Sequence, residues 1–147
     1  MRLKTHLVFV AAVLAIGLLI GWAFLPGVWY AGLRKPGFTP PNWLFGPAWT
    51  TLYVLIGIAG ARTWERGGLA VGLWFLQMAL NFLWSPAFFG AQNPGLGLMV
   101  ILPLLAVILV FIRERWNRDR IATLLFVPYA LWVAFASALN IGIWWLN

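Results

Sequence analysis

Residues 69–89 read LAVGLWFLQMALNFLWSPAFF, and this run decides the fold. It contains no Asp, Glu, Lys, Arg or His. Its length matches the ~20 apolar residues that carry a helix across the hydrocarbon of a bilayer. The polar residues Gln77, Asn81 and Ser85 recur every fourth position, and Trp84, Phe88 and Phe89 fall on the same side of a 3.6-residue helix. An amide is costly in hydrocarbon unless it is paired, so this face looks into a bundle. It serves hydrogen bonding between helices or contact with a ligand, and the two are compatible.

Four further uncharged runs flank it, at 7–25, 43–61, 95–112 and 121–146. All are continuous rather than alternating, which argues against a membrane β-barrel. The expected architecture is therefore an all-α bundle of five transmembrane helices, forming a single membrane domain over residues 1–147. Composition agrees: 63% of residues are hydrophobic, 9% are charged, and mean hydropathy is +0.91. A soluble domain holds about 45–50% apolar and about 25% charged residues. Arg2 and Lys4 ahead of the first run resemble a signal peptide. That run is too long for the usual h-region and ends in Leu25-Pro26, so it reads as a retained helix. Pro26-Gly27 ends it, Asn93 with Pro94 opens the fourth span, and Asp119 is placed to cap the fifth.

The net charge of +7 has a topological reading. Arg2, Lys4, Arg62, Arg66, Arg113, Arg115, Arg118 and Arg120 fall on one side of the membrane, with only Arg34 and Lys35 on the other. The positive-inside rule then puts the N-terminus in the cytoplasm and the C-terminus outside. The cluster 113–120 reads as a topology determinant that also meets anionic headgroups, a specific partner site being the alternative. No nucleic acid is implied. Without cysteine and with one histidine, His6, the chain offers no metal centre. His6 reads as a terminal surface group. No acid, Lys or His within a span provides a proton or ion relay, a Schiff-base lysine or a catalytic triad.

The loop 27–42, GVWYAGLRKPGFTPPN, is too aromatic and too rich in proline to be a plain connection. It is either an interfacial aromatic belt or a folded lid over the mouth of the bundle. In the last span Tyr129, Trp132, Ala136, Asn140 and Asn147 form one stripe, and Trp49 and Tyr53 sit one turn apart in the second. Aromatic rings with a few convergent amides suit a flat, conjugated ligand, although such stripes also serve simple packing. Gly17-x3-Gly21 and Gly68-x3-Gly72 permit close helix approach, within the bundle or in a dimer.

These residues resemble the TspO/MBR family, the translocator or tryptophan-rich sensory proteins. The match includes Trp29-Tyr30-x2-Leu33-x-Lys35-Pro36-x-Phe38-x-Pro40-Pro41, then Trp49-x2-Leu52-Tyr53, Gln77-x3-Asn81-x2-Trp84, and Pro128-Tyr129-x2-Trp132-x3-Ala136-x2-Leu139-Asn140. The resemblance implies a five-helix, commonly dimeric bundle in the lipid bilayer, with a lipophilic pocket capped by the first loop. It implies porphyrin ligands such as protoporphyrin IX and haem, with no cofactor required, and a role in sensing, stress regulation or transport. The reading leans to a binding protein. Its alternatives are a light- and oxygen-dependent porphyrin-degrading enzyme, in which Trp49 and Trp132 would act, and a lipid or sterol carrier. Carried over by motif, the ligand residues are Tyr30, Pro40, Trp49, Asn81, Trp132 and Ala136; Trp84 joins them from its helix face. Arg34 and Lys35 are placed to meet a propionate, with a structural role for Lys35 as the alternative. The cholesterol motif of Leu/Val, Tyr and Lys/Arg is not met in the last helix, which ends Ala138-Leu-Asn-Ile-Gly-Ile-Trp-Trp-Leu-Asn147.

Overall fold

The computed structural model describes residues 2–147. Among these there are no strands. The long helices are α1 (Leu3–Ala23), α3 (Phe45–Arg66), α4 (Leu69–Ser85), α5 (Pro94–Arg115) and α6 (Arg120–Leu146); α2 (Val28–Ala31) is a single turn in the first loop. A 3₁₀ turn, Asn42–Leu44, leads into α3. Among the described residues five helical segments are long and apolar enough to cross a membrane, and the chain is an integral membrane protein of the expected class.

The boundaries show where local chemistry overrides apolar length. α1 stops at Ala23, ahead of the expected Pro26-Gly27 stop, with Phe24 N–H donating to Ile20 O at 3.0 Å. α3 runs on to Arg66, past the expected 61, because Arg62 and Arg66 both reach Asp119. α4 does not remain α-helical to 89. Pro86 has no N–H for an i−4 bond, and the chain widens into one π turn, Pro86–Gly90, closed by Ala91 N–H to Pro86 O at 2.8 Å. Two caps form as the sequence predicts: Asn93 accepts from Leu96 N–H at 3.1 Å, and Asp119 from Ala122 N–H at 3.4 Å.

Around the bundle α1 packs on α3, α3 on α6, α6 on α5 and α5 on α4. α1 and α4 meet through Phe9 against Trp74 at 5.2 Å near one end, and Phe24 lies against Gly90 near the other. Lipid tails are as apolar as leucine, so association rests on close packing, and glycines supply it. Gly17 faces the Tyr53 ring with no room for a Cβ, and Gly60 does the same against Trp74. At Gly57 a Cβ would sit 2.7 Å from the backbone Cα of Val10. A backbone cannot swing aside as a side chain can, so Gly57→Ala is expected to cost about 1–3 kcal/mol by forcing α1 off α3. Gly21→Ala, with open space around it, is the control. Thermal unfolding in a neutral detergent measures both. Of the two small-residue pairs, Gly17 is packed inside the bundle, whereas Gly72 is exposed with nothing near it.

One expectation is corrected at the arginine-rich end. His6 is not a surface group. It is 8% exposed, its Nδ1 lies 3.0 Å from Arg2 O and 3.8 Å from Glu65 Oε1, and Glu65 also accepts from Arg2 N–H at 2.9 Å. Glu65 lies beyond the expected end of its helix, so its return to the head of α1 was hidden from the sequence.

Candidate functional site

At the other end the five spans do not fill their own centre. They leave a cavity of about 590 Å³, within the range usual for small-molecule sites. Trp49 and Tyr53 stand on one side, Asn81, Trp84, Phe88 and Phe89 on another, and Trp132, Ala136 and Asn140 on a third. Leu104 of α5 forms part of its base. Among the described residues, no charged side chain lines it.

The polar groups of the wall are held by neighbouring helices. Asn81 Nδ2 donates to the Tyr129 hydroxyl at 2.7 Å, and that hydroxyl donates to Gln77 Oε1 at 2.8 Å. Trp84 Nε1 donates to Asn140 Oδ1 at 3.0 Å, while Asn140 Nδ2 reaches Pro94 O at 2.8 Å. The amide face of α4 is thus satisfied across α4, α5 and α6, with Asn81 also on the cavity wall. Gln77 and Tyr129 serve the wall from behind and do not line it. Trp49 stacks on Tyr53 at 5.5 Å and meets Trp132 edge-on at 6.3 Å and 88°. Trp132 Nε1 is buried without a hydrogen-bond partner among the described residues.

The first loop is folded. In α2, Tyr30 is 4% exposed, lines the cavity and packs edge-on to Phe89 at 5.5 Å; Trp29 packs on Phe88 at 5.6 Å. The π turn places Phe88 and Phe89 against these rings, so α2 packs on the end of the cavity and contributes Tyr30 to its wall. Beyond α2 the loop descends along α6. Asn147 Oδ1 accepts from Arg34 N–H at 3.2 Å and its Nδ2 donates to Arg34 O at 2.8 Å, Pro36 fits against Gly142, and Phe38 meets Phe135 at 5.9 Å. Pro40 belongs to this descending strap and does not line the cavity. Arg34 is exposed. Lys35 Nζ donates to Ala31 O and Leu33 O and lies 4.5 Å over the Tyr30 ring. Asn147→Ala removes the two-bond clamp on Arg34, and residues 32–41 are expected to exchange amide hydrogens on the order of tenfold faster, with α5 unchanged.

So the structure brings Tyr30, Trp49, Asn81, Trp84, Trp132 and Ala136 to one cavity and leaves Pro40 outside it. Sequence reasoning missed the wall supplied by α1 and its exit, including Gly21, Trp22, Phe24 and Leu25. The Gly17-x3-Gly21 spacing was the available signal, since a small residue facing nothing leaves room.

Comparison with known proteins decides the family. The TspO/MBR family model matches residues 9–146. The chain belongs to the TspO/MBR family. It is 48% identical over 144 residues to the tryptophan-rich protein TspO of Archaeoglobus fulgidus, covering 94% of each chain. It is 41% identical to protein CrtK of Rhodobacter capsulatus, covering 86% of this chain and 83% of that one. With the human translocator protein it shares 36% identity, over 88% of this chain and 83% of the human one. A TspO/MBR chain therefore carries this aromatic, uncharged cavity under a clamped loop.

Proposed function

We propose that the protein binds a flat, conjugated lipophile, a porphyrin such as protoporphyrin IX or haem, in this cavity. The observation that carries the reading is the combination of wall chemistry and neutrality. Trp49, Trp84, Trp132, Tyr30, Phe88 and Phe89 present ring faces and edges, and no charged group among the described residues lines the space. Aromatic walls favour a π-system, and a charge-free interior disfavours ions. A porphyrin's propionates would have to leave the apolar interior, and the lid, where Arg34 and Lys35 lie, is where they would meet cations. The sole histidine lies near the start of α1, so no lining residue offers an imidazole to haem iron, which favours the metal-free ring. Any acceptor seated beside Trp132 Nε1 would satisfy that buried donor.

A relative in Cereibacter sphaeroides is named tryptophan-rich sensory protein, which supports a sensory role. The paired Trp49 and Trp132 rings favour a second reading, light- and oxygen-dependent degradation of the bound porphyrin. The test is a dark titration of tryptophan fluorescence with protoporphyrin IX, followed by illumination with absorbance recorded. Saturable quenching with a stable spectrum supports binding; bleaching to a discrete product in the complex supports the enzyme; linear quenching without saturation overturns both. We also infer a cytoplasmic N-terminus from the eight-to-two asymmetry of basic residues. An alkaline phosphatase fused after Asn147 should then be active, and an inactive fusion reverses the orientation.

A further inference from the structure

The end of the bundle opposite the lid holds a buried cation that the fold pairs only in part. Arg115, in the last turn of α5, is 4% exposed. Its Nε has no hydrogen-bond partner among the described residues. The carboxylate nearest to it, Glu114 Oε1, stands 4.0 Å from Nη2 and is already bonded to the exposed Arg118. The other acid of this segment, Asp119, is committed to Arg62 and Arg66. A guanidinium has five donors and cannot give up its charge, so burying its Nε unbonded, with one long ion pair to offset the charge, is costly.

The guanidinium points at the head of a helix. A Cβ built on Gly68 would sit 3.8 Å from Arg115 Nη2, and Gly68 is the N-cap of α4. Gly68 has φ +89°, outside the extended region in which Ser, Thr, Asp or Asn caps a helix, and no side chain caps α4. The 17-residue helix thus starts with first-turn N–H groups unsatisfied by any side chain and with the positive end of its dipole beside a buried guanidinium. Two sets of donors lie side by side, and among the described residues the side-chain acceptor paired with them is Glu114, 4.0 Å from Arg115 Nη2 and shared with Arg118.

We propose that this point is a binding site for a phosphate oxyanion, held between Arg115 and the N-terminus of α4. Helix termini bind phosphate through the same donors, and arginine matches its geometry. The source the surroundings favour is the headgroup of an anionic phospholipid. Trp64 and Trp116 are exposed at this end, with Arg120 stacked over Trp116 at 4.3 Å, as residues at the headgroup level are. Leu69, the first residue of α4, is 68% exposed and gives an acyl chain an apolar path away from the site.

The experiment uses the full chain in neutral detergent, titrated with phosphatidylglycerol, with phosphatidylcholine, and with inorganic phosphate alone. Bound lipid is counted by native mass spectrometry and the thermal midpoint is recorded. Phosphatidylglycerol is expected to bind saturably and raise the midpoint, with phosphatidylcholine, whose phosphate is accompanied by a cation facing Arg115 and the positive end of α4, binding more weakly. Arg115→Gln is expected to lose on the order of tenfold in lipid affinity. Because that variant can unfold for structural reasons, Leu69→Glu provides a second. At an exposed position, it brings a carboxylate to the same N–H groups and is expected to weaken lipid binding without lowering the midpoint of the lipid-free protein. The exposed Arg113→Gln should retain the response. Stabilisation by inorganic phosphate alone, lost in the same two variants, keeps the site and assigns it to free phosphate. Equal lipid binding in wild type, Arg115→Gln and Leu69→Glu overturns the proposal. So does an equal loss in Arg113→Gln, which would mark diffuse attraction.

Discussion

Replacing Trp49 and Trp132 together by alanine is expected to weaken protoporphyrin IX binding by roughly a hundredfold. The two rings stand 6.3 Å apart at 88°, so one offers a face where the other offers an edge, and both line the cavity. Truncating them removes the largest apolar surfaces available to a flat ligand on the α3 and α6 sides. It leaves in place the Asn81–Tyr129–Gln77 chain that ties α4 to α6. Each ring also packs inside the wall, Trp49 on Tyr53 and Trp132 on Phe45, so some stability is lost as well. The thermal midpoint of the double variant must therefore be recorded with its affinity. Trp145→Ala, at 79% exposure and away from the cavity, is the matched control and should bind as wild type does.

The second large effect belongs to Asp119. Its carboxylate is 2% exposed and accepts from Arg62 Nη2 at 2.9 Å, from Arg62 Nε at 3.1 Å and from Arg66 Nε at 3.0 Å, while capping α6. Asp119→Ala leaves the largely buried Arg62 without this partner and uncaps the helix, at an expected cost of about 3–5 kcal/mol. Arg66 is half exposed and contributes the smaller share. Burial by itself raises the Asp119 pKa, but the hydrogen bonds from Arg62 and Ala122 and the two arginine charges outweigh it and hold it below the usual carboxylate range. A depressed folded-state pKa gives stability that is present above the unfolded value, ~3.9, and is lost as pH falls through the folded value. Wild type should therefore lose thermal stability on acidification below that range, and Asp119→Asn should start less stable and lack this acid-dependent contribution. Parallel acid profiles for the two proteins would refute the assignment.

The spans were legible because a bilayer asks one simple thing of a sequence, a run of apolar residues long enough to cross it. The caps at Asn93 and Asp119 were legible because capping is local, and the inward face of α4 because amides at Gln77 and Asn81 must be paired in hydrocarbon. What was hidden depends on contacts between distant residues. His6 became buried because Glu65 returns to the head of α1; the π turn at Pro86 has a local cause, the missing N–H, that the apolar length of the run concealed. Apart from the Gly17-x3-Gly21 spacing, the α1 wall was hidden because apolar residues facing a void carry the same letters as those facing lipid. Pro40 falls outside the cavity because Asn147, Gly142 and Phe135 draw the strap down the side of α6.

The claim that a porphyrin occupies this cavity is tested most directly by induced circular dichroism in its Soret band. Protoporphyrin IX is achiral, so ring dissolved in micelles gives no signal, whereas ring held among Trp49, Trp84 and Trp132 takes on the asymmetry of its surroundings. The expected result is a Soret signal that saturates at one porphyrin per chain and disappears in the Trp49→Ala, Trp132→Ala variant. No induced signal, or one that persists unchanged in that variant, would contradict the account.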